Sequence, residues 1–381
     1  MQHIDLAYSW RPHHAESEPR NRLSPLRNPL MDLLNALREA GSIGAAAKSL
    51  GLSYRHVWGE LKRWEQAMDQ TLIVWEKGHS ARLTEFAHKL LWAERQAQAR
   101  LAPQISVLQA ELEKTFSVAF DPHSHALPIY ASHDDGLVLL REHAAAHALH
   151  LDLRFCGSVD AIRALNEGRC TVAGFHAPLN PQPHTLIARS YKPLLQTGNH
   201  KLIGFALRSQ GLMIAPGNPF RIRGWMDLLR PEIRLVNRSR GTGTRLLLDN
   251  WLEEKKLVGT DLHGYSHEES SHSAVAACIA AGQADVGLGI ASAAQAQGLD
   301  FLPLMQEAYW LVCHRSALES SAVQALRGIL QDPSWQQQLS QLMGYTVSLS
   351  SGDVQSLKNT LPWWHFKTKQ SHNQGQTLSS R

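Results

Sequence analysis

Residues 40–64, AGSIGAAAKSLGLSYRHVWGELKRW, contain two helical segments separated by a glycine turn. Ser42 and Ser53 are each placed to cap a helix, the first over residues 43–50, and Gly51 ends that first helix. Apolar residues recur on one face of the second helix at the spacing i, i+4, i+7. They are Val57, Leu61 and Trp64. The stretch therefore predicts a helix, a tight turn and an amphipathic helix.

The flanking residues predict the remaining parts of a winged helix-turn-helix domain. Upstream, leucines at helical spacing indicate a helix over residues 29–40. Downstream, residues 71–75 and 82–83 are typical of two short strands, joined by a turn around Gly78 that carries basic side chains. We therefore expect a DNA-binding domain at residues 28–83. Residues 1–27, which contain three prolines, are expected to form an irregular leader.

The amino end of the second helix is the part that a helix-turn-helix places in the major groove. Arg55 lies there and is expected to bind a guanine through two hydrogen bonds. Basic residues beyond it and in the wing are expected to neutralise phosphates. The predicted DNA-binding residues are Ser53, Tyr54, Arg55, Trp58, Lys62, Arg63, Lys77 and Arg82. The alternative is that these charges only form a solvated helix face.

Residues 37–91 resemble the winged helix-turn-helix of LysR-type regulators and, more closely, that of molybdate-responsive regulators of the ModE type. The matching residues are Ala40-Gly41-Ser42-Ile43, Ala46-Ala47-Lys48-Ser49-Leu50-Gly51-Leu52-Ser53-Tyr54, Trp58 and Ala81-Arg82-Leu83-Thr84-Glu85. The resemblance implies DNA binding. One departure is Gly59, since glycine inside a helix costs about 1 kcal/mol relative to alanine. We interpret it as allowing close approach of the backbone to DNA.

A long helical stretch follows at residues 84–115. Leucines at helical spacing give it an apolar seam, and Pro103 is expected to kink or divide it. These leucines are Leu90, Leu101, Leu108 and Leu112. We expect this linker helix to pair chains into a homodimer or homotetramer. A helix folded back on its own domain is the alternative.

Beyond residue 121 strands alternate with helices, which predicts a two-lobed, doubly wound α/β effector domain at residues 126–350. The predicted strands are residues 127–130, 151–155, 171–175, 212–215, 234–236 and 286–290, and the predicted helices begin near His133, Val159, Thr244, Ser273 and Ala291. The whole chain is then of the α/β class, with an amino-terminal winged helix-turn-helix and a long linker helix before the effector domain. Residues 366–381 are polar and are expected to be a disordered tail.

Four strand-to-helix junctions of this domain carry small hydroxyl or glycine residues. Helix amino termini have unpaired N–H groups and partial positive charge, so several of them together would form a cradle for an anion. Arg238 is our choice for direct ion pairing, whereas Arg245 is equally suited to a structural salt bridge. The predicted ligand residues are Ser132, Ser158, His176, Arg238, Gly241, Thr242, Gly243, Thr244, Arg245 and Ser292.

Residues 127–315 also resemble a family, the periplasmic molybdate- or tungstate-binding proteins. The matching motifs are Ser132-His133-Asp134, Gly157-Ser158, Ala173-Gly174-Phe175-His176, Gln210-Gly211-Leu212, Ala215-Pro216-Gly217-Asn218-Pro219, Asn237-Arg238, Gly241-Thr242-Gly243-Thr244-Arg245 and Ala284-Asp285-Val286-Gly287-Leu288-Gly289-Ile290. The resemblance implies a cleft between two lobes, with crossing segments near Leu212 and Met305, that closes on its ligand. The sequence departs from the family at Ala177, Pro178 and Thr242.

The composition excludes several classes of protein. The net charge is only +4, so DNA binding depends on where basic residues lie and not on overall charge. The four cysteines are far apart, which favours reduced thiols over a disulfide framework or a zinc site. No histidine spacing fits a metal motif and no catalytic constellation is present, so we expect neither a metal, a cofactor nor an enzyme.

No signal peptide or membrane-spanning run is visible, which predicts a cytoplasmic protein without a membrane partner. The leading interpretation is a transcription regulator whose effector domain senses molybdate or tungstate, to control metabolism or the genes of molybdenum and tungsten enzymes. One alternative is the same regulator responding to a small carboxylate such as formate, with formate dehydrogenase genes as targets. The other is a cytosolic oxyanion-binding protein that does not bind DNA.

Overall fold

The computed structural model of the chain describes residues 28–74, 81–120, 125–179 and 184–361. These residues belong to two compact units, Met1–Glu94 and Arg95–Arg381. Within the described residues, no helix is both long and apolar enough to cross a membrane. The predicted leader and tail lie outside the described residues.

The first unit contains the predicted helix-turn-helix and a two-stranded wing. Its elements are α1 (Pro29–Ala40), α2 (Ile43–Ser49), α3 (Tyr54–Met68), β1 (Ile73–Val74) and β2 (Arg82–Leu83). Asn28, Ser42 and Ser53 cap the three helices by accepting main-chain N–H groups with their side-chain oxygens. Leucines of α1 pack against Val57 and Leu61 of α3, which confirms the amphipathic pattern.

Glu65 of α3 holds the start of the wing against the helix. Its carboxylate accepts the main-chain N–H groups of Leu72 at 2.8 Å and Ile73 at 3.3 Å. Burial opposes ionisation of this carboxyl, but Lys62 and the two N–H groups outweigh it and lower the pKa of Glu65. The wing strands pair antiparallel, with Ile73 opposite Leu83. The wing tip, residues 75–80 with Lys77, lies outside the described residues.

A single helix, α4 (Glu85–Phe120), runs through Pro103, so of the two expected effects, a kink or a division, the division is wrong. Proline lacks an N–H group, and the carbonyl four residues earlier therefore loses its helical partner. That carbonyl belongs to Ala99, and the hydroxyl of Ser271 donates to it at 3.2 Å. A side chain from elsewhere in the second unit thus replaces the hydrogen bond that proline removes.

The second unit is a mixed sheet covered by helices on both faces. Its strands are β3 (His125–Ala131), β4 (Leu149–Phe155), β5 (Val172–Pro178), β6 (His200–Ile214), β7 (Leu235–Arg238), β8 (Glu268–Glu269), β9 (Val286–Ile290), β10 (Asp300–His314), β11 (Tyr345–Val347) and β12 (Val354–Ser356). Its helices are α5 (Asp135–Ala145), α6 (Ser158–Asn166), α7 (Leu186–Tyr191), α8 (Gly243–Glu254), α9 (His272–Ala280), α10 (Ala291–Ala296), α11 (Ser321–Gln331), α12 (Pro333–Ser340) and α13 (Leu357–Thr360).

Two long strands join the lobes of this unit. The strand order is β4-β3-β5-β10-β6-β9-β7-β8, with parallel pairing within β4-β3-β5 and within β9-β7-β8. Strands β6 and β10, of 15 residues each, pair antiparallel over their whole length. The carboxyl half of β10 borders β5, whereas the carboxyl half of β6 borders β9. The expected two-lobed α/β domain is confirmed, and the chain crosses between lobes within β6 and β10.

Candidate DNA-binding surface and anion site

The amino end of α3 is open to solvent. Ser53, Tyr54 and Arg55 are exposed, and the side chain of Tyr54 is 54% accessible. Arg55 makes no ion pair with any other described residue. The opposite face of α3 is buried at Val57 and Leu61, which fixes the direction in which Arg55 points. The exposed end therefore presents an unpaired cation, as direct contact with DNA requires.

Two other predicted DNA-binding residues of α3 form ion pairs with residues of the same helix. Lys62 pairs with Glu65 at 2.7 Å, and Arg63 pairs with Glu60 at 2.6 Å. The ammonium of Lys62 also lies 4.9 Å from the ring centre of Trp58, which is half-buried. Such exposed pairs contribute little to stability and can be exchanged for phosphate contacts.

Packing within the described residues does not require a glycine at position 59. A Cβ atom built on it would meet no heavy atom within 4 Å, and the residue lies on the exposed side of α3. Arg82 in β2 is also exposed. The helix therefore has a gap on the same side as its basic residues.

A cavity of about 320 Å³ lies where the strands of both lobes end. Its wall is formed by residues that follow the carboxyl ends of β3, β4, β7 and β8, together with two side chains of α4. The lining residues are Arg100, Gln104, His133, Phe155, Cys156, Gly157, Arg238, Ser239, Arg240, Thr242 and Ser270. Ligands of open α/β sheets bind at such strand ends. No aspartate or glutamate is among these lining residues.

Arg238 carries a buried charge without a carboxylate partner in the described residues. Arg238 is 1% accessible, and its Nη1 donates to the carbonyl oxygen of Glu269 at 3.1 Å. Its Nε is buried without a partner in the described residues. Burial, and then the nearby charge of Arg208, lower the pKa of Arg238 to about 9. An anion in the cavity would supply the missing counter-charge.

Two helix amino termini meet beside Arg238. Gly157, at the N-cap of α6, approaches so closely that a Cβ there would lie 2.7 Å from the carbonyl oxygen of Gly241. Gly157 offers no side-chain cap, so the first N–H groups of α6 are not satisfied by one. Thr242 caps α8, and Gly241 adopts a positive φ of 82°. Opposed helix ends of this kind attract negative charge.

A buried polar layer lies behind this junction. The hydroxyls of Ser132 and Ser158 are 3.0 Å apart. A Cβ on Gly243 would lie 3.4 Å from the hydroxyl of Tyr191 and 3.6 Å from the Cβ of His176. The predicted residues of four separate segments are therefore adjacent in space.

A buried ion network joins the crossing strands to the start of α5. Arg208 of β6 donates to Glu307 of β10 and to Asp134, each at 2.5 Å, and Tyr345 donates to Asp134 at 2.8 Å. Burial alone would raise the pKa of Asp134, but hydrogen bonding and the charge of Arg208 lower it well below its usual range. His176 lies 3.6 Å from Asp134, and burial lowers the pKa of His176.

Several polar atoms near this network are buried without a hydrogen-bond partner among the described residues. They are both amide atoms of Gln210, both ring nitrogens of His176, Nδ1 of His272, Nε of Arg238 and the hydroxyl of Tyr309. Unsatisfied buried groups are costly, and native proteins satisfy them with water or a ligand. The interior of the cleft is therefore suited to a polar occupant.

The family follows from two matches. Residues 140–331, half of the chain, match the PBP superfamily domain. The chain belongs to the PBP superfamily. Residues 30–88 match the bacterial regulatory helix-turn-helix protein model of the lysR family. The chain therefore combines a DNA-binding helix-turn-helix of the lysR regulatory family with a PBP-like domain, which is the arrangement of a transcription regulator with an effector-binding domain.

Two curated proteins are similar to parts of this regulator. The uncharacterized protein YvgK of Bacillus subtilis (strain 168) is 30% identical over 231 residues, which cover 60% of the regulator and 74% of YvgK. An uncharacterized protein of Clostridium pasteurianum, from the 5′ region of a 2Fe-2S ferredoxin gene, is 35% identical over 107 residues. That match covers 27% of the regulator and 92% of the clostridial protein.

Solved structures with similar chains include LysR-type proteins of Corynebacterium glutamicum. An OxyR mutant is 17% identical, with a TM-score of 0.38, and the match covers 78% of the regulator and 89% of OxyR. Full-length LysG with its effector arginine bound is 19% identical, with a TM-score of 0.35, over 78% of the regulator and 95% of LysG.

Of the predicted ligand residues, Arg238 and Thr242 line the cavity, whereas Ser132, Ser158, His176, Gly241, Gly243, Thr244, Arg245 and Ser292 are not among its lining residues. Arg245 does not line the cavity, because its guanidinium pairs with Asp249 at 3.0 Å and Glu268 at 2.9 Å and stacks on Tyr265. The structural salt bridge is therefore the observed role. Ser292 is also used elsewhere, since its hydroxyl donates to Asp135 at 2.6 Å. Thr244 is buried near the start of α8.

Sequence reasoning missed part of the cavity wall. His133, Ser239 and Arg240 adjoin predicted residues, so their positions at strand ends could have indicated them. Arg100 and Gln104 gave no such signal, because they lie in the middle of a helix assigned to pairing. The partners Arg208 and Glu307 are 99 residues apart, and only strand pairing brings them together.

Proposed function

We propose that the regulator senses a small anion, molybdate or tungstate, in the cavity beside Arg238 and controls genes of molybdenum and tungsten enzymes or related metabolism. The observation that carries this proposal is the buried charge of Arg238, which forms no ion pair with a carboxylate of the described residues and whose Nε is without a partner among them. The lining of the cavity adds Arg240, hydroxyls and two helix amino termini. This set of donors suits an oxyanion.

The size of the cavity limits the ligand. A volume of about 320 Å³ is at the small end of ligand pockets. It holds roughly ten water molecules at about 30 Å³ each, so a five-atom tetrahedral oxyanion would share it with water. The hydroxyls of Ser239 and Thr242 already donate to main-chain oxygens, at 3.2 Å and 2.8 Å. The neutral donors left in the described lining, the hydroxyl of Ser270 and the helix amino termini, bind a tetrahedral dianion or a carboxylate equally well.

Dimerisation through α4 is part of the proposal. Leu108 is 57% accessible, and Leu101 and Leu112 on the same helix are also exposed. An apolar stripe of this kind on a long helix is suited to pair with a second copy. A dimer would present two α3 helices to a two-fold DNA site. We place this activity in the cytoplasm, where the DNA lies.

A thermal-shift panel tests the ligand assignment. The full chain is heated with molybdate, tungstate, sulfate, phosphate or formate, and a ligand that binds only the folded state raises the melting temperature. We expect molybdate and tungstate to give the largest increase. A response to formate alone would replace the oxyanion with a carboxylate, and no response to any of the five anions would overturn the proposed site.

A further inference from the structure

Helix α4 is fastened to the lobe that contains β7, β8 and α9. Gln96 donates to Gln283 at 2.8 Å, and Ala99 packs against Ala274 and Ala277. The hydroxyl of Ser271 donates to the carbonyl oxygen of Ala99, which has no helical partner because Pro103 lacks an N–H group. These contacts fix the rotation of α4 about its axis, and with it the direction of the side chains one turn further on.

Arg100 is held at the mouth of the cavity by the same residue that contacts Arg238. The Nε and Nη2 atoms of Arg100 donate to the carboxylate of Glu269, with a shortest distance of 2.6 Å. The carbonyl oxygen of Glu269 accepts the Nη1 of Arg238 at 3.1 Å. The Nη1 of Arg100 makes no hydrogen bond to another described residue, and half of its side chain remains exposed. Donors of Arg100 are therefore still available to a ligand.

Gln104 lies one turn beyond Arg100 and lines the same cavity. Its amide makes no hydrogen bond to another described residue, and the cavity is also lined by Phe155, Cys156 and Gly157 of the other lobe. The cavity is thus enclosed by three parts of the chain: the two lobes and α4. A ligand between them can contact all three.

We propose that the anion bound at Arg238 also contacts Gln104 and the free Nη1 of Arg100, so that α4 forms one wall of the effector site. This inference rests on the proposed function and deepens it, because it names the route of regulation. Helix α4 begins directly after the wing at Glu85. Occupancy of the cavity is thereby sensed by the helix that leads to the DNA-binding domain.

The affinity test uses Gln104→Ala in the full chain. Arg100 is less suitable, because its removal would leave the buried carboxylate of Glu269 unpaired. Titration calorimetry with molybdate, and with tungstate, sulfate, phosphate and formate in parallel, should show binding weakened by about 3- to 10-fold, the value of one hydrogen bond. Gln324→Ala makes the same chemical change at an exposed position of α11, outside the cavity, and should bind as the wild type does.

The outcomes separate this inference from the proposed function. If wild-type protein binds none of the five anions, both are overturned. If binding is lost in Arg238→Met but Gln104→Ala binds with unchanged affinity, only the role of α4 is overturned. Weaker binding by Gln104→Ala with normal binding by Gln324→Ala supports it.

A cross-linking test requires no anion. Gln104→Cys places a second thiol in the wall of the cavity that Cys156 also lines, and a short bis-maleimide should join the two within one chain. Burial raises the pKa of Cys156 to about 12, so the reaction is run at about pH 8.5 to increase the thiolate fraction. Ala97→Cys, exposed on the same helix, should not form this link. Failure of the Gln104→Cys protein to cross-link, with both thiols reactive toward a monofunctional maleimide, would overturn the placement of α4.

Discussion

The guanidinium of Arg245 donates a hydrogen bond of 3.2 Å to the main-chain oxygen of Arg238. The two arginines are equally buried, at 1% accessibility, but the groups that face their charges differ. Arg245 is opposite two carboxylates, whereas Arg238 faces a cavity. Arg245 therefore supports the loop that positions Arg238, and Arg238 is left to bind the ligand.

Exchange of each arginine for methionine should separate these roles. Arg238→Met is expected to abolish anion binding and to leave the ligand-free protein as stable as the wild type or more stable, because a buried unpaired charge is removed. Arg245→Met should retain the anion site but lose about 1–3 kcal/mol of stability, because it leaves two carboxylates without their partner. Calorimetry and urea unfolding measure the two effects. Normal anion affinity in Arg238→Met would disprove the assignment.

The sequence predicted the starts of several helices well and the two long strands poorly. Helices α1, α3 and α8 begin at or next to the predicted residues, because serine or threonine caps and glycine turns are local signals. Strand β10 was not among the predicted strands, although the resemblance implied a crossing segment near Met305, and only residues 212–215 of the β6 region were predicted as a strand. Both strands have polar residues inside, such as Arg208 and Glu307, whose burial depends on each other and not on local pattern.

Arg55 and Arg63 provide a matched pair on the recognition helix. Arg55 has no ion pair among the described residues, whereas Arg63 is held by Glu60. We expect Arg55→Ala to weaken binding to the DNA upstream of the protein's own gene by about 1–3 kcal/mol, with anion affinity unchanged. Arg63→Ala should weaken DNA binding less than Arg55→Ala does. Its main effect should be to reduce the slope of log affinity against log salt concentration by about one. Equal losses in fluorescence anisotropy titrations would argue against base contact by Arg55.

Replacement of Gly59 should raise stability and weaken DNA binding. Alanine meets no atom within 4 Å at this position and favours the helix by up to about 1 kcal/mol. If the backbone approaches DNA closely, the added methyl group will interfere with binding. Gly328→Ala, at an equally open position in α11, should stabilise the protein without changing DNA affinity. DNA binding by Gly59→Ala equal to that of the wild type would remove the proposed reason for this glycine.

Self-association should depend on the exposed leucines of α4. Leu108→Lys places a charge in the apolar stripe and is expected to shift the protein toward the monomer. Leu349 is more exposed, at 105% accessibility, but lies in a different part of the chain, so Leu349→Lys is the control. Sedimentation velocity over a range of concentrations measures the change. Unchanged association of Leu108→Lys would assign pairing to another surface.

Acid should destabilise the effector domain through buried neutral histidines, and His200 gives the clearest case. Burial, with a smaller contribution from His314, lowers the pKa of His200 to about 4 from an ordinary value near 6.5. Between these values the unfolded chain binds a proton that the folded chain does not. Stability therefore falls as pH decreases through this window and is insensitive to this group above it.

His200→Asn tests this titration while keeping a local hydrogen bond. The main-chain N–H of Gln196 donates to Nδ1 of His200 at 3.1 Å, and the asparagine oxygen can accept it instead. Urea unfolding at pH 7.5, 6.5, 5.5 and 4.5 should show a shallower loss of stability in the variant, by at most about 1.4 kcal/mol per pH unit. Because burial is the main cause, added salt should leave the difference in place. Parallel pH profiles for the two proteins would show that His200 titrates normally in the folded state.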